Sequence, residues 1–152
     1  AVDMLNETVV RLADVPNISG IKDATGDVAR GVQLIEQLNN KIPVYSGDDA
    51  TAYELILGGA KGNISVTANV LPKQMSELCR LALEGKAAEA KALNDALMDL
   101  HDSMFVEANP IPVKCALMKM GLIGSGIRLP LTPLDVQYHA QLEKSLKLRS
   151  LI

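Results

Sequence analysis

Over the first 85 residues the apolar positions fall into short runs that alternate between helix-like and strand-like spacing. Leu5, Val9, Leu12 and Ala13 recur at helical intervals, which predicts a first helix from Leu5 to Asp14, stopped by Val15-Pro16-Asn17. The β-branched run Ile18-Ser19-Gly20-Ile21 ends on Lys22 and breaks into the polar turn Asp23-Ala24-Thr25-Gly26-Asp27, the pattern of a buried strand opening into a loop. A second helix is expected from Val28 to Asn39, with Val32, Ile35 and Leu38 on one stripe and Asn39-Asn40 as a left-handed stop. A second strand from Ile42 to Ser46 runs into Gly47-Asp48-Asp49, and a third helix from Thr51 to Leu57 closes on Gly58-Gly59. A third strand from Asn63 to Val66 then leads into Thr67-Ala68-Asn69. A fourth helix starts with Pro72 in its first turn, where the missing N–H costs nothing, and ends near Gly85.

Strands and helices that alternate with short links imply parallel strands and right-handed crossovers. In such an array every strand ends on the same edge, so Lys22, Gly47-Asp48 and Ser65-Val66-Thr67 are expected to gather there. The strand ends are spaced by roughly 20 to 24 residues, a tight repeat for a barrel or a doubly wound sheet. Three strands are too few to stand alone, because a parallel sheet needs cover on both faces and leaves open edges. The pattern therefore predicts an α/β fold, the C-terminal part of a larger barrel over residues 1–85.

From Lys86 the pattern is helical throughout. Ala90, Leu93, Leu97, Leu100 and Met104 predict one long helix, broken by Asn109-Pro110-Ile111-Pro112. A shorter helix is expected to run to Gly121, followed by a glycine-rich loop to Pro130. Thr132-Pro133 is read as the cap and start of a last helix carrying Leu134, Tyr138, Leu142 and Leu146. Residues 86–152 are thus expected to form an all-helical C-terminal domain.

Composition narrows the function. With 48% hydrophobic and 22% charged residues, the chain has the means to bury a core and is not a disordered segment. Net charge is −3, with three tyrosines, one phenylalanine and no basic run, which argues against nucleic acid. No apolar stretch approaches the roughly 20 residues of a membrane span, and no signal-peptide pattern is visible. Cys79 and Cys115 lie far apart in apolar, helical contexts and read as buried hydrophobes, which fits a reducing, cytoplasmic setting. His101 and His139 are isolated from each other and from both cysteines, so no protein-held metal is expected. Both are placed on helices outside the barrel, solvated or satisfied in the core.

Lys22 is the residue that needs explaining. Where an apolar strand opens into a loop, an ammonium must reach water, pair with a carboxylate or become neutral. The plain reading is a lysine stem lying along apolar surface with its head in water. The chemical reading is a nucleophilic amine. Gly47 and Asp48 either line a pocket beside it or form an ordinary turn, while Thr67 and Asn69 are expected to satisfy loop backbone. A phosphate site at Gly58-Gly59 lacks both a longer glycine-rich pattern and a basic partner.

Gly20-Ile21-Lys22-Asp23-Ala24-Thr25-Gly26-Asp27 resembles the Schiff-base lysine motif of the pyruvate-dependent class I lyases. Four further stretches match in the same order: Ser46-Gly47-Asp48-Asp49, Gly62-Asn63-Ile64-Ser65-Val66-Thr67-Ala68-Asn69-Val70, Asn109-Pro110-Ile111-Pro112-Val113-Lys114 and Arg128-Leu129-Pro130-Leu131-Thr132-Pro133. Together they are similar to the dihydrodipicolinate synthase family over nearly the whole chain. The resemblance implies the second half of a (β/α)8 TIM barrel plus its helical C-terminal domain. It implies condensation of pyruvate with aspartate 4-semialdehyde in lysine (diaminopimelate) biosynthesis, with Lys22 as the catalytic nucleophile. The intermediate would be a covalent imine, with no cofactor.

The amine must be neutral to attack, and a free lysine near pKa 10.4 is neutral in about one part in a few thousand at pH 7. Desolvation at a barrel mouth favours the neutral form. By the same resemblance Ile64 offers its backbone carbonyl to the keto acid, Gly47 and Asp48 bind substrate, and the Asn109-Pro110 junction borders the pocket. The family is commonly a homotetramer, with its weaker dimer contact around Ala24 to Val28, so the resemblance implies a homo-oligomer, dimer or tetramer, here.

The family's proton-relay tyrosine and threonine correspond to nothing in these 152 residues, so the chain alone is expected to be inactive or nearly so. Related N-acetylneuraminate lyases and keto-deoxy-sugar aldolases share the lysine, but the Ser65-Val66-Thr67-Ala68-Asn69 and Asn109-Pro110-Ile111-Pro112 stretches favour the synthase. A chain serving only in subunit association is the reading from another class.

Overall fold

The computed structural model describes residues 2–152. Helix α1 spans Asn6–Leu12 and sends only Val9 fully into the interior; Leu5 and Leu12 stay exposed. Strand β1, Ile21–Asp23, lies parallel to β2, Val44–Ser46, with Lys22 opposite Tyr45. Between them α2, Val28–Leu38, supplies the crossover. Its N-terminus is capped by Asp27, whose carboxylate accepts from the Arg30 N–H at 3.0 Å, and it stops at Asn39 and Asn40, both left-handed as expected. Helix α3, Ala52–Leu57, follows β2.

The third strand expected over Asn63–Val66 shrinks to a single parallel bridge, Ser46 with Asn63. Three backbone bonds still hold this segment alongside β2: Lys61 N–H to Val44 O (2.8 Å), Ser46 N–H to Gly62 O (2.9 Å) and Ile64 N–H to Ser46 O (2.8 Å). Gly62, at φ 154°, makes the entry that a side chain would resist. The ladder ends at Ile64 because the next N–H groups, of Val66 and Thr67, donate to the Asp49 carboxylate instead. The chain then winds into a 3-10 turn, Thr67–Asn69. Strand order and direction are as expected; extent is not.

Helix α4, Pro72–Leu83, begins with proline in its first turn, as predicted. The single helix predicted beyond Lys86 is instead two, α5 at Ala87–Asp95 and α6 at Met98–Ser103. At the junction Leu97 N–H bonds Asn94 O at 2.8 Å, three residues back, and this tightened turn separates α5 from α6. The Ala96 carbonyl freed there is taken by Arg149 at 2.6 Å. Helix α7 covers Ile111–Lys119.

The last helix does not start at Thr132-Pro133. Leu134 is buried ahead of any regular element, Asp135 in extended backbone caps a 3-10 turn at Val136–Tyr138, and α8 runs over His139–Lys147 with Leu142 and Leu146 inside. Burying Leu134 ahead of the helix moves the capping role three residues along the chain.

Two clusters of buried side chains hold these elements. Val9, Leu34, Leu38, Ile42 and Val44 join α1, α2 and β2. A larger one runs without interruption from Leu55 and Ile56 through Leu78 and Leu81 to Leu100, Leu142 and Leu146, crossing Gly85. Both cysteines are free, Cys115 buried and Cys79 half-buried, and burial pushes both thiols up from their ordinary pKa. Among the described residues no helix is long and apolar enough to cross a membrane.

Candidate active site at the strand ends

The parallel order brings Lys22, Gly47 and Ile64 to one edge although 42 residues separate the first from the last. Alternation along β1 leaves Ile21 and Asp23 half-buried and Lys22 exposed on the opposite side. The lysine stem crosses the end of β2. A β-carbon placed on Gly47 would stand 2.5 Å from Lys22 Cε, 2.9 Å from Lys22 Cγ and 2.9 Å from Ala24 Cβ. Glycine is therefore the residue that lets the lysine lie there. The Gly47 N–H also donates to Asp23 O at 2.7 Å, which locks the two strand ends together.

Asp48 faces a different task. Its Oδ2 accepts from the Thr51 N–H (3.1 Å) and the Thr51 hydroxyl (2.7 Å), and Ser46 Oγ bonds both the Asp48 carbonyl and its N–H. Its carboxyl carbon lies 3.7 Å from where a Gly26 β-carbon would be, so it braces the loop after β2 against the loop after β1. Ile64 is half-exposed, and among the described residues no backbone N–H donates to its carbonyl. Asn69 Nδ2 donates to Val66 O at 3.0 Å, within its own loop. Asn109 is exposed ahead of α7, outside the open cleft of about 390 Å³ that Val2, Met4, Ile21, Lys22, Ala24 and Leu34 help to line.

Asp49, not singled out from the sequence, is the centre of the second and third loops. It is 1% exposed, and its carboxylate accepts from Asn63 Nδ2 (2.7 Å), Val66 N–H (3.0 Å) and Thr67 N–H (2.8 Å). Thr67 in turn shares a 2.8 Å hydrogen bond with His101 Nδ1 on α6. His101 is core-held: it is 2% exposed, and burial lowers its pKa from the usual histidine value against the opposing pull of Asp49 and Asp102. His139 bonds Leu134 O at 3.1 Å. In the sequence the only hint of Asp49 is a second acid just before an apolar helix, where a carboxylate without donors would be costly.

A profile of the dihydrodipicolinate synthetase family matches residues 1–149. The chain belongs to that family. A 4-hydroxy-tetrahydrodipicolinate synthase of Marinobacter nauticus is 63% identical over 147 residues, 97% of this chain and 50% of that protein. The crystal structure of the chloride-inhibited dihydrodipicolinate synthase of Acinetobacter baumannii, complexed with pyruvate, superposes with a TM-score of 0.95 at 59% identity. It covers 99% of this chain and 52% of that one. A structure described as the first monomeric dihydrodipicolinate synthase variant superposes at 0.90 with 39% identity, covering 99% of this chain and 52% of its own. The chain thus spans about half the length of the curated relatives it matches.

Proposed function

We propose that this chain carries the Schiff-base half of a 4-hydroxy-tetrahydrodipicolinate synthase. The carrying observation is Lys22 at the C-terminal end of β1, its stem laid over Gly47, in a chain that superposes almost whole on a family member solved with pyruvate. In this reading the neutral Lys22 amine adds to the keto carbon of pyruvate, and loss of water leaves an iminium. The iminium draws electrons from the neighbouring methyl group, which gives up a proton to form an enamine. The enamine carbon attacks the aldehyde of aspartate 4-semialdehyde. The Ile64 carbonyl receives the bound keto acid, Gly47 leaves space for the stem, and Asp48 holds the loop beside it. The covalent imine serves in place of a cofactor.

The same reading makes residues 2–85 part of a (β/α)8 barrel capped by the helical residues 86–152. Two features support it. The sheet has an unpaired outer edge at β1, which a parallel sheet does not leave open. Val2 and Met4, which line the cleft along β1 together with Ile21, are exposed at 97% and 47%. Further strands would cover both. A cytoplasmic enzyme is supported by the two free cysteines. A homo-oligomer, dimer or tetramer, is the assembly we infer, with the monomeric variant among its relatives as the known alternative.

Treatment with pyruvate and borohydride tests the reading. Peptide mapping should find the reduced adduct on Lys22 and none in Lys22→Arg. An adduct spread over surface lysines, or none, would overturn it.

A further inference from the structure

Segment 63–69 holds Ile64 between two anchors. On one side Ile64 N–H is bonded to Ser46 O of β2. On the other, Val66 and Thr67 N–H groups converge on Asp49, which is itself part of the loop after β2. Both anchors belong to the strand layer. Among the described residues only one hydrogen bond ties this segment to the helical region beyond Gly85, the 2.8 Å contact between the Thr67 hydroxyl and His101 Nδ1. Both partners are buried, Thr67 completely. Seven residues earlier Asn94 makes a matching tie, its Nδ2 donating to Ala50 O at 3.0 Å. Two turns of helix, tightened at the α5–α6 junction, bring both side chains to bear on the strand-end loops.

Among the described residues His101 Nε2 is buried without a partner. A ring used for core filling alone would be better replaced by an apolar one, because an orphan polar atom in the interior is destabilising. What the imidazole gains there is its Nδ1 contact to Thr67.

We propose that His101 is a positioning residue for the Lys22 face: through the Thr67 hydroxyl it fixes segment 63–69, and with it the Ile64 carbonyl, relative to the lysine. This rests on the reading of that face as a 2-oxo-acid site. The helical region thereby acts on the site without touching the substrate. Leucine at 101 keeps much of the volume and loses the bond. Asparagine places a polar atom near the position of Nδ1 and restores it.

The experiment is amide hydrogen exchange read by NMR on the 152-residue chain. In His101→Leu, exchange at Ile64, Val66 and Thr67 should quicken about tenfold, as expected for losing one buried hydrogen bond from a local opening unit. Amides of α4 and the Ile21 N–H should keep their protection. His101→Asn should restore the wild-type rates, and Thr67→Val, which removes the hydroxyl from the other end, should reproduce the leucine result.

Uniform quickening along the chain, unchanged rates at 64–67, or loss of the fold in both His101→Leu and Thr67→Val would make His101 a packing residue and overturn the proposal. Borohydride trapping separates the two readings. If the wild-type chain is trapped, His101→Leu should need about tenfold more pyruvate for half-maximal labelling, again the worth of one such bond. An unchanged requirement counts against His101. Failure of the wild type to label counts against the Lys22 reading, while the exchange result still decides what His101 holds.

Discussion

At the scale of single residues, three positions carry most of the argument. Gly47→Ala would put a β-carbon 2.5 Å from Lys22 Cε and 2.9 Å from Ala24 Cβ, so the lysine must swing away and the loop after β1 must shift with it. Borohydride trapping should fall by about tenfold or more, the cost of misplacing a reacting group, and urea unfolding should show a loss of about 1 to 3 kcal/mol from the overpacked contact with Ala24.

Asp49→Ala strands three donors, that of Thr67 fully buried and those of Asn63 and Val66 partly so, and should cost about 3 kcal/mol in urea unfolding. Asp49→Asn should cost only about 1 to 2 kcal/mol. Its oxygen can still receive the Val66 and Thr67 N–H groups, and Asn63, whose Oδ1 now lacks a partner, can turn to meet the new amide. Equal losses in the two variants would show that charge, and not donor satisfaction, holds the loops.

His101 gives the pH dependence. Asp48 and Asp49 face it from the loop after β2, Asp102 from α6 and Arg149 from beyond α8, and burial outweighs the acids to lower its pKa. Above about pH 6.5 neither the folded nor the unfolded chain protonates it, so it leaves stability unchanged. As pH falls through that value, the unfolded chain takes up the proton first and stability drops. The drop ends once pH has also passed the folded-state pKa. Unfolding free energy measured against pH should show this slope in the wild type and lose it in His101→Asn.

At the scale of elements, the helices that matched expectation are those whose ends are written locally. Asp27 before α2, Pro72 in α4 and the left-handed Asn39-Asn40 act within one turn of where they stand. Asp27→Ala should accordingly cost about 1 kcal/mol by urea unfolding, the usual worth of such a cap. The elements that departed have ends set by distant groups. The third strand stops where Asp49 claims its N–H groups, and the helix beyond Lys86 breaks where Asn94 reaches Ala50 and Arg149 donates to the Ala96 carbonyl. Apolar spacing through the break is nearly the same as through an unbroken helix, so periodicity could not reveal it. The start of α8 shifted for a related reason, since Leu134 is claimed by the core before the helix begins.

At the scale of the whole molecule, the sheet edge at β1 and the exposed apolar positions around it mark the side on which the barrel reading places further strands. Lys22 is present and accessible there, while that reading draws the groups that relay protons from outside the chain. With pyruvate and aspartate 4-semialdehyde we expect a trappable imine but no steady-state product from the 152-residue chain, followed by coupled assay and mass spectrometry. Sustained turnover would show that residues within the chain move the protons.

The order of the first elements, the parallel direction of the strands and the place of Lys22 where the first strand opens into a loop were determined by the sequence alone. Each depends on hydrophobic period, turn chemistry and a short motif, all local. The tertiary structure alone decided that Gly47 makes room for that lysine, that Asp49 gathers two loops and that His101 reaches one of them. The first is a steric approach between two strand ends, and the other two arise from donors and acceptors far apart in the chain, which meet only when burial leaves them no water to bond.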